Sequence, residues 1–310
     1  MYRRLGTDNL HVPAQEVYLW LHAGYWGLVD GRGRAAGTLG STGDDDARAF
    51  GEGREAGDAV AGSIDLKALE SGSACLRDLL RVDDGSAYYE LELVPEPAGR
   101  IEGFFLDRDG GFMRALARRA GLRGGGFSPF ARAGNVERTS ENALFRGAEA
   151  RSGLCVYDSG VVIAGLCQDV LGWASENFGR DKLYINSVAL VEFTYETILF
   201  FMNEVLERVE GAGAARRWRW RVKMSGLDGP VSVALMFGWA KGVEARLGWH
   251  HDPPRTTGDF STELCDESGL SAGAGAWRVL GEVYHRFGQP SEAIPFAKDD
   301  SIDEERLRAL

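Results

Sequence analysis

Residues 216 to 224 read Arg-Arg-Trp-Arg-Trp-Arg-Val-Lys-Met, the most distinctive run in the chain. In a strand, period two puts Arg217, Arg219, Arg221 and Lys223 on one face and Trp218, Trp220, Val222 and Met224 on the other. Cations about 7 Å apart along such a face match the spacing of a nucleic-acid backbone, and each neutralised phosphate adds salt-dependent affinity. The same alternation also describes a half-buried strand with its tryptophans in the core and its cations in solvent or paired with carboxylates. The residues leave both readings open.

Other chemistry-bearing residues are less well spaced. Glu192 and Glu196 stand at i and i+4, a spacing that could share a metal or set two carboxylates for acid/base work, but no histidine accompanies them. With Asn203, Glu207 and Glu210 they form a stripe of about 60° on a helix, which reads as a solvated or subunit-facing edge. His250-His251-Asp252, with Cys265, Asp266 and Glu267 further on, supplies ligand types for zinc. Adjacent histidines in an extended chain point to opposite sides, however, and no second ligand pair follows at a finger-like interval, so no metal is assigned. Cys155 and Cys167 lie in apolar runs where burial raises a thiol's pKa and makes it inert. The glycine clusters lack GxxxxGK[ST] and a strand-to-helix GxGxxG, and GxSxG and HExxH are absent. No cofactor and no catalytic residue is assigned; an enzyme of unrecognised class, with a pocket near His250, His251 and Asp252, is the competing class.

The elements that would position these residues follow from periodicity and breakers. Helices are expected at Pro13 to His22, Leu66 to Leu80, Gly111 to Ala120 and Ala276 to Phe287, with one long core helix over Leu183 to Val209. Strands are expected at 87–94, 142–150, 152–158, 161–167, 216–224 and 231–237, with a hairpin turn at Asp158-Ser159-Gly160. The first alternates Tyr89, Leu91 and Leu93 against Tyr88, Glu90 and Glu92, and Pro95 and Pro97 are expected to end it. Nearly the whole circumference of the long helix is apolar, which predicts an α+β fold: a mostly antiparallel sheet packed on one long buried helix.

The 310 residues are 44% hydrophobic and 26% charged, ordinary for a soluble globular chain, and exclude a disordered, collagen-like or membrane-embedded one. The net charge of −11 argues against bulk coating of nucleic acid but allows one local basic strand. Glutamates within 183–209 exclude a membrane span there. Four scattered cysteines and no apolar leader fit a reduced, cytoplasmic protein. The 42 glycines thicken between residues 31 and 62, where they mark a boundary.

The opening YRRLGTDNLHVPAQEVYLWLH resembles the closing segment of the bacterial Schlafen-type AlbA-like domain, also called a divergent AAA or putative DNA-binding domain. Tyr2, Arg3, Arg4, Gly6, Thr7, Pro13 and Glu16 match that family's strand, polar turn and acidic helix start. Leu122-Arg123 with Gly126-Phe127, and Val156 to Gly160, resemble segments that follow the domain in many bacterial proteins. The resemblance implies that Met1 falls inside the domain and that the chain is the downstream piece of a longer protein or has a misassigned start. It further implies residues 1–28 as the domain's remnant and 63–288 as an accessory α+β domain, between and after which composition alone marks 29–62 as a Gly/Asp-rich linker and 289–310 as a frayed acidic tail. The expected function is an accessory binding or regulatory module for nucleic-acid-linked regulation or phage defence. Its partners would be nucleic acid through the basic strand, a second copy or another subunit, and no membrane.

Overall fold

In the computed structural model, the described residues are 2–5, 8–11, 66–97, 99–101, 104, 122, 127, 129, 135–138, 142–146, 151–173, 182–209, 217–228, 232–235 and 257–309. The chain forms two compact units, Met1–Gly57 and Asp58–Leu310. In the first, strands β1 (Tyr2–Leu5) and β2 (Asp8–His11) pair antiparallel. The helices expected at 13–22 and 111–120 lie outside the described residues, as does the linker expected at 29–62.

The second unit is an α+β fold built on an eight-stranded antiparallel sheet. Helix α1 (Leu66–Leu80) leads into β3 (Tyr88–Glu96), followed by β4 (Asn135–Arg138), β5 (Asn142–Arg146), β6 (Ser152–Tyr157) and β7 (Val162–Cys167). A short α2 (Gln168–Leu171) and β8 (Lys182–Ile185) precede α3 (Ser187–Phe200). Then come β9 (Arg217–Ser225), β10 (Ser232–Leu235), β11 (Phe260–Ser261), β12 (Cys265–Ser268) and α4 (Ala272–Arg286). The spatial order is β11-β9-β3-β7-β6-β5-β4, with β12 also on the outer edge of β9. β8 and β10 form a separate parallel pair, so the strand at 231–237 does not return along β9 after the Leu227-Asp228 turn.

Period two sends Tyr89, Leu91, Leu93, Trp218, Trp220 and Val222 to one face, where they meet α3 and α4 in the main core. The ring of Trp218 sits 5.7 Å from that of Phe201, and the Tyr89 hydroxyl shares a 2.9 Å hydrogen bond with Thr194. On the opposite face the α1 positions Leu69, Leu76 and Leu80 pack on Leu144, Cys155 and Ile163. Both faces of the sheet are thus covered by helix, which is why β3 is buried along nearly its whole length rather than on one face only. β3 also runs through Pro95 to Glu96, because β7 leaves the ladder at Leu93 and a proline's missing N–H is tolerated where one neighbour is absent.

Three further expectations change. The helix over 183–209 starts later: Leu183 to Ile185 belong to β8, and the Asn186 side chain caps α3 by accepting from the Val188 and Ala189 amides at 3.0 Å each. After Phe200 the ladder widens to a π-turn over Phe201–Val205 and tightens to a 3-10 turn over Leu206–Arg208. The C-terminus is not frayed. Phe296, Ile302 and Leu307 are buried, and Asp303 caps a last helix, α5 (Glu304–Arg308), which is held by Tyr195 donating to Glu304 and by Arg308 donating to the Leu122 carbonyl at 3.1 Å. The acidic composition there hid three apolar anchors.

α1 approaches β6 and β7 closely at Gly72, where an added Cβ would lie 2.5 Å from Ile163 Cδ1 and 2.8 Å from the Tyr157 ring. Alanine normally stabilises a helix interior relative to glycine; here Gly72→Ala is expected to lower stability by about 1–3 kcal/mol through overpacking, read as a shifted urea midpoint at unchanged slope. A neutral or stabilising result would contradict this packing.

Candidate functional site

The sheet register joins two sequence features some 130 residues apart. β3 lies antiparallel to β9 with Glu90 opposite Lys223, Glu92 opposite Arg221 and Glu96 opposite Arg217. Because side chains alternate, the glutamates of β3 and the cations of β9 share the face turned away from the tryptophans. Arg217, Arg219, Arg221 and Lys223 therefore do line one face, as their spacing requires, and that face also carries carboxylates.

Each cation is engaged. Lys223 pairs with Glu90 at 3.1 Å and with Glu92, and Arg221 donates through Nε to Glu92. Arg219 lies between Glu96, at 3.1 Å, and Asp266 on the neighbouring strand β12, and Arg217 reaches Glu96 at 3.6 Å. The side chains of Glu90 and Glu92 are 2% and 0% exposed, whereas those of Lys223 and Arg221 keep 27% and 20%. The carboxylates lie beneath and the cations close over them with their outer surfaces still wet, which suits long basic side chains that extend their heads toward water. A buried carboxylate without such partners would be strongly destabilising.

At the Lys223 end of this ladder α1 leans over the sheet and leaves a cleft of about 330 Å³, lined among others by Ser73, Arg77, Tyr88, Glu90, Lys223 and Phe260. Ser73 and Arg77, one helical turn apart, project into it from α1. The Ser73 hydroxyl donates to Glu90, lying 2.7 and 2.9 Å from its two oxygens. The Arg77 guanidinium stacks over the Tyr88 ring, 4.8 Å from its centroid, and donates to Ser225 Oγ at 3.0 Å. The Tyr88 phenol reaches across Gly165, where any Cβ would overlap its hydroxyl.

Burial raises the Glu90 carboxyl above its ordinary value, and neighbouring Glu92 adds to the rise, while Lys223 and the Ser73 hydroxyl offset part of it. Burial, with Glu90 behind it, holds the Tyr88 phenol well above its usual range. The cleft thus offers a carboxyl whose pKa burial raises, an ammonium already shared between two carboxylates, and a guanidinium.

The remaining candidates lie elsewhere. Glu192 and Glu196 are buried on α3 rather than set at a solvated or subunit-facing edge: Glu192 accepts from the Phe127 amide at 3.1 Å and Glu196 from the Leu122 amide, so they hold these two residues against the helix. The 100° period placed them on one stripe correctly, but these partners are distant in sequence. His250, His251 and Asp252 lie outside the described residues. Asp266 is committed to Arg219, and Glu267 accepts from Trp220 Nε1 at 3.1 Å and from Arg278 at 2.9 Å. Among the described residues no group of three or more His, Cys, Asp or Glu could hold a metal ion, and no helix is long and apolar enough to cross a membrane. Burial pushes the Cys155 thiol up, and the Cys167 thiol up to about 11. Sequence reasoning missed Ser73 and Arg77, although their i and i+4 spacing beside the Leu69, Leu76 and Leu80 stripe put them on adjoining ground.

No protein-family model, curated protein or solved structure matches the chain.

The raised Glu90 carboxyl has a definite signature. Above the ordinary value of 4.5 the folded protein holds this proton more tightly than the unfolded chain does, so unfolding releases it and this group's contribution to stability falls as pH rises. Glu90→Gln removes that contribution. Its stability relative to wild type, from urea unfolding at a series of pH values, is expected to be level below pH 4 and to climb as the pH rises above about 4.5. A difference that falls over that range would show a Glu90 carboxyl depressed by its partners.

Proposed function

We propose that the chain is an accessory module of a Schlafen-like bacterial protein, cytoplasmic and serving nucleic-acid-linked regulation or phage defence, that acts by binding rather than catalysis. The observation that carries the binding part is the cleft at the Lys223 end of the ladder, where polar groups from α1, β3 and β9 converge. The family part is supported by the matching residues of the first segment, with Tyr2–Leu5 forming a strand that pairs antiparallel with Asp8–His11. In this reading the N-terminal hairpin is the remnant of the preceding domain, and the helix from Ser187 to Arg208 is the pillar on which the accessory sheet rests. The four cysteines are free thiols, which suits a reducing compartment.

The favoured partner is a ligand seated in the cleft rather than a nucleic-acid backbone along β9. Counterion release requires cations that are not already neutralised, and here Arg217, Arg219, Arg221 and Lys223 face Glu90, Glu92, Glu96 and Asp266, four charges against four. A phosphate would have to displace carboxylates, two of which, Glu90 and Glu92, are buried. Fluorescence anisotropy with labelled single- and double-stranded oligonucleotides, titrated at low and physiological salt, separates the two. The expected result is no appreciable binding at physiological salt and no difference between wild type and Arg217→Gln, the most exposed of the four. Tight binding with a steep salt slope, weakened by Arg217→Gln, would move the function to the strand.

A further inference from the structure

We infer that the cleft is a subsite for a small organic carboxylate, an amino- or hydroxy-acid, with Arg77 as its anchor; this rests on the reading of the cleft as the binding site and names the ligand class.

Charge accounting within the cleft singles out one group. Lys223 is held by Glu90 and Glu92, and the Ser73 hydroxyl is committed to Glu90. Arg77 makes no ion pair among the described residues; its side-chain contacts there are the 3.0 Å hydrogen bond to Ser225 and the stacking on Tyr88. A half-buried guanidinium with most of its five donors unused, on the wall of a concave site, is suited to an anion supplied from outside.

The geometry favours a carboxylate over other anions. The contact with the Tyr88 ring and the hydrogen bond to Ser225 restrain the guanidinium, whose planar fork matches the two coplanar oxygens of a carboxylate. Gly165 contributes to that orientation, since its missing side chain gives Tyr88 its place. A doubly charged phosphate would meet the field of Glu90 and Glu92 below and Asp259 at the rim, where a single negative charge is tolerated better. Glu90 and Asp259, which line the cleft, supply acceptors, which is why the ligand should carry an amino or hydroxyl donor beside its acid group. Phe260 and the Tyr88 ring offer an apolar wall, and about 330 Å³ lies at the small end of ligand-site volumes.

The test uses the full chain in differential scanning fluorimetry and calorimetric titration at constant ionic strength. The probes are acetate, lactate, alanine and glutamate, with lactamide and alaninamide as uncharged-acid controls and inorganic phosphate as the competing anion. The expected result is a saturable rise in melting temperature with lactate, alanine or glutamate, none with the amides, and a weaker response to phosphate. Arg77→Met should abolish the response and Arg77→Lys should weaken binding about tenfold or more, because a point charge replaces the fork. If Arg77→Met fails to fold, the Arg77→Lys comparison carries the test alone. Binding that survives both variants, or saturation by the amides, would overturn Arg77 as a carboxylate anchor while leaving the cleft as a binding site. Saturation by phosphate more tightly than by any carboxylate would overturn the ligand class. Absence of saturable binding by every probe would overturn the inference outright, and an empty response of this kind alongside salt-dependent oligonucleotide binding would overturn the binding-site reading with it.

Discussion

Two glutamates on the third strand cannot be buried without counter-ions, and much of the second unit is arranged around that constraint. Glu90 and Glu92 sit under the sheet's covered face with almost no exposure. Their charges are met from the neighbouring strand by Lys223 and Arg221 and, for Glu90, from above by the Ser73 hydroxyl. The alternation that puts four cations on one side of β9 puts Trp218, Trp220, Val222 and Met224 on the other, so one strand both closes the polar layer and supplies the apolar floor under α3 and α4. A slip of one residue in the β3–β9 register would bury cations against the helices and expose the tryptophans, which makes this pairing strongly specified.

Close approach governs the layer above. α1 can bring Ser73 and Arg77 over the ladder only because Gly72 lets its backbone down onto Ile163 and Tyr157. Gly165 similarly leaves room for the Tyr88 ring, which in turn carries the Arg77 guanidinium. The cleft is thus the place where a helix, anchored by its apolar stripe, overhangs a polar ladder without filling the space above it. Polar groups converge there from three elements, and one cation among them, Arg77, has no carboxylate partner among the described residues.

Local pattern was legible and pairing was not. The alternations in Tyr88 to Val94 and Arg217 to Met224 identified both strands and the faces of their side chains. The apolar spacing of Leu69, Leu76 and Leu80 located α1, and the Asp158-Ser159-Gly160 turn located the β6–β7 hairpin. What no local pattern carries is which strand lies beside which. The carboxylates that neutralise Lys223 and Arg221 were visible as a polar face of β3, but nothing in either segment says that the two are neighbours. The same limit applies to Glu192 and Glu196: the period grouped them, while their burial depends on amides of Leu122 and Phe127 that reach them only in the folded chain. Asn186 as a helix cap, by contrast, was open to sequence reasoning and was obscured by the apolar run that continues across it.

The central claim, that the cations of β9 serve the buried carboxylates of β3, is tested most directly by a double-mutant cycle on the unfolding free energy of wild type, Glu92→Gln, Arg221→Met and the double variant. Arg221→Met alone leaves Glu92 with Lys223 as its remaining partner and is expected to cost about 2–4 kcal/mol, with the double variant recovering part of the loss and a coupling of about 1 kcal/mol or more. Losses that simply add, with a coupling under about 0.5 kcal/mol, would contradict the account and return Arg221 to the role of a solvent-facing cation.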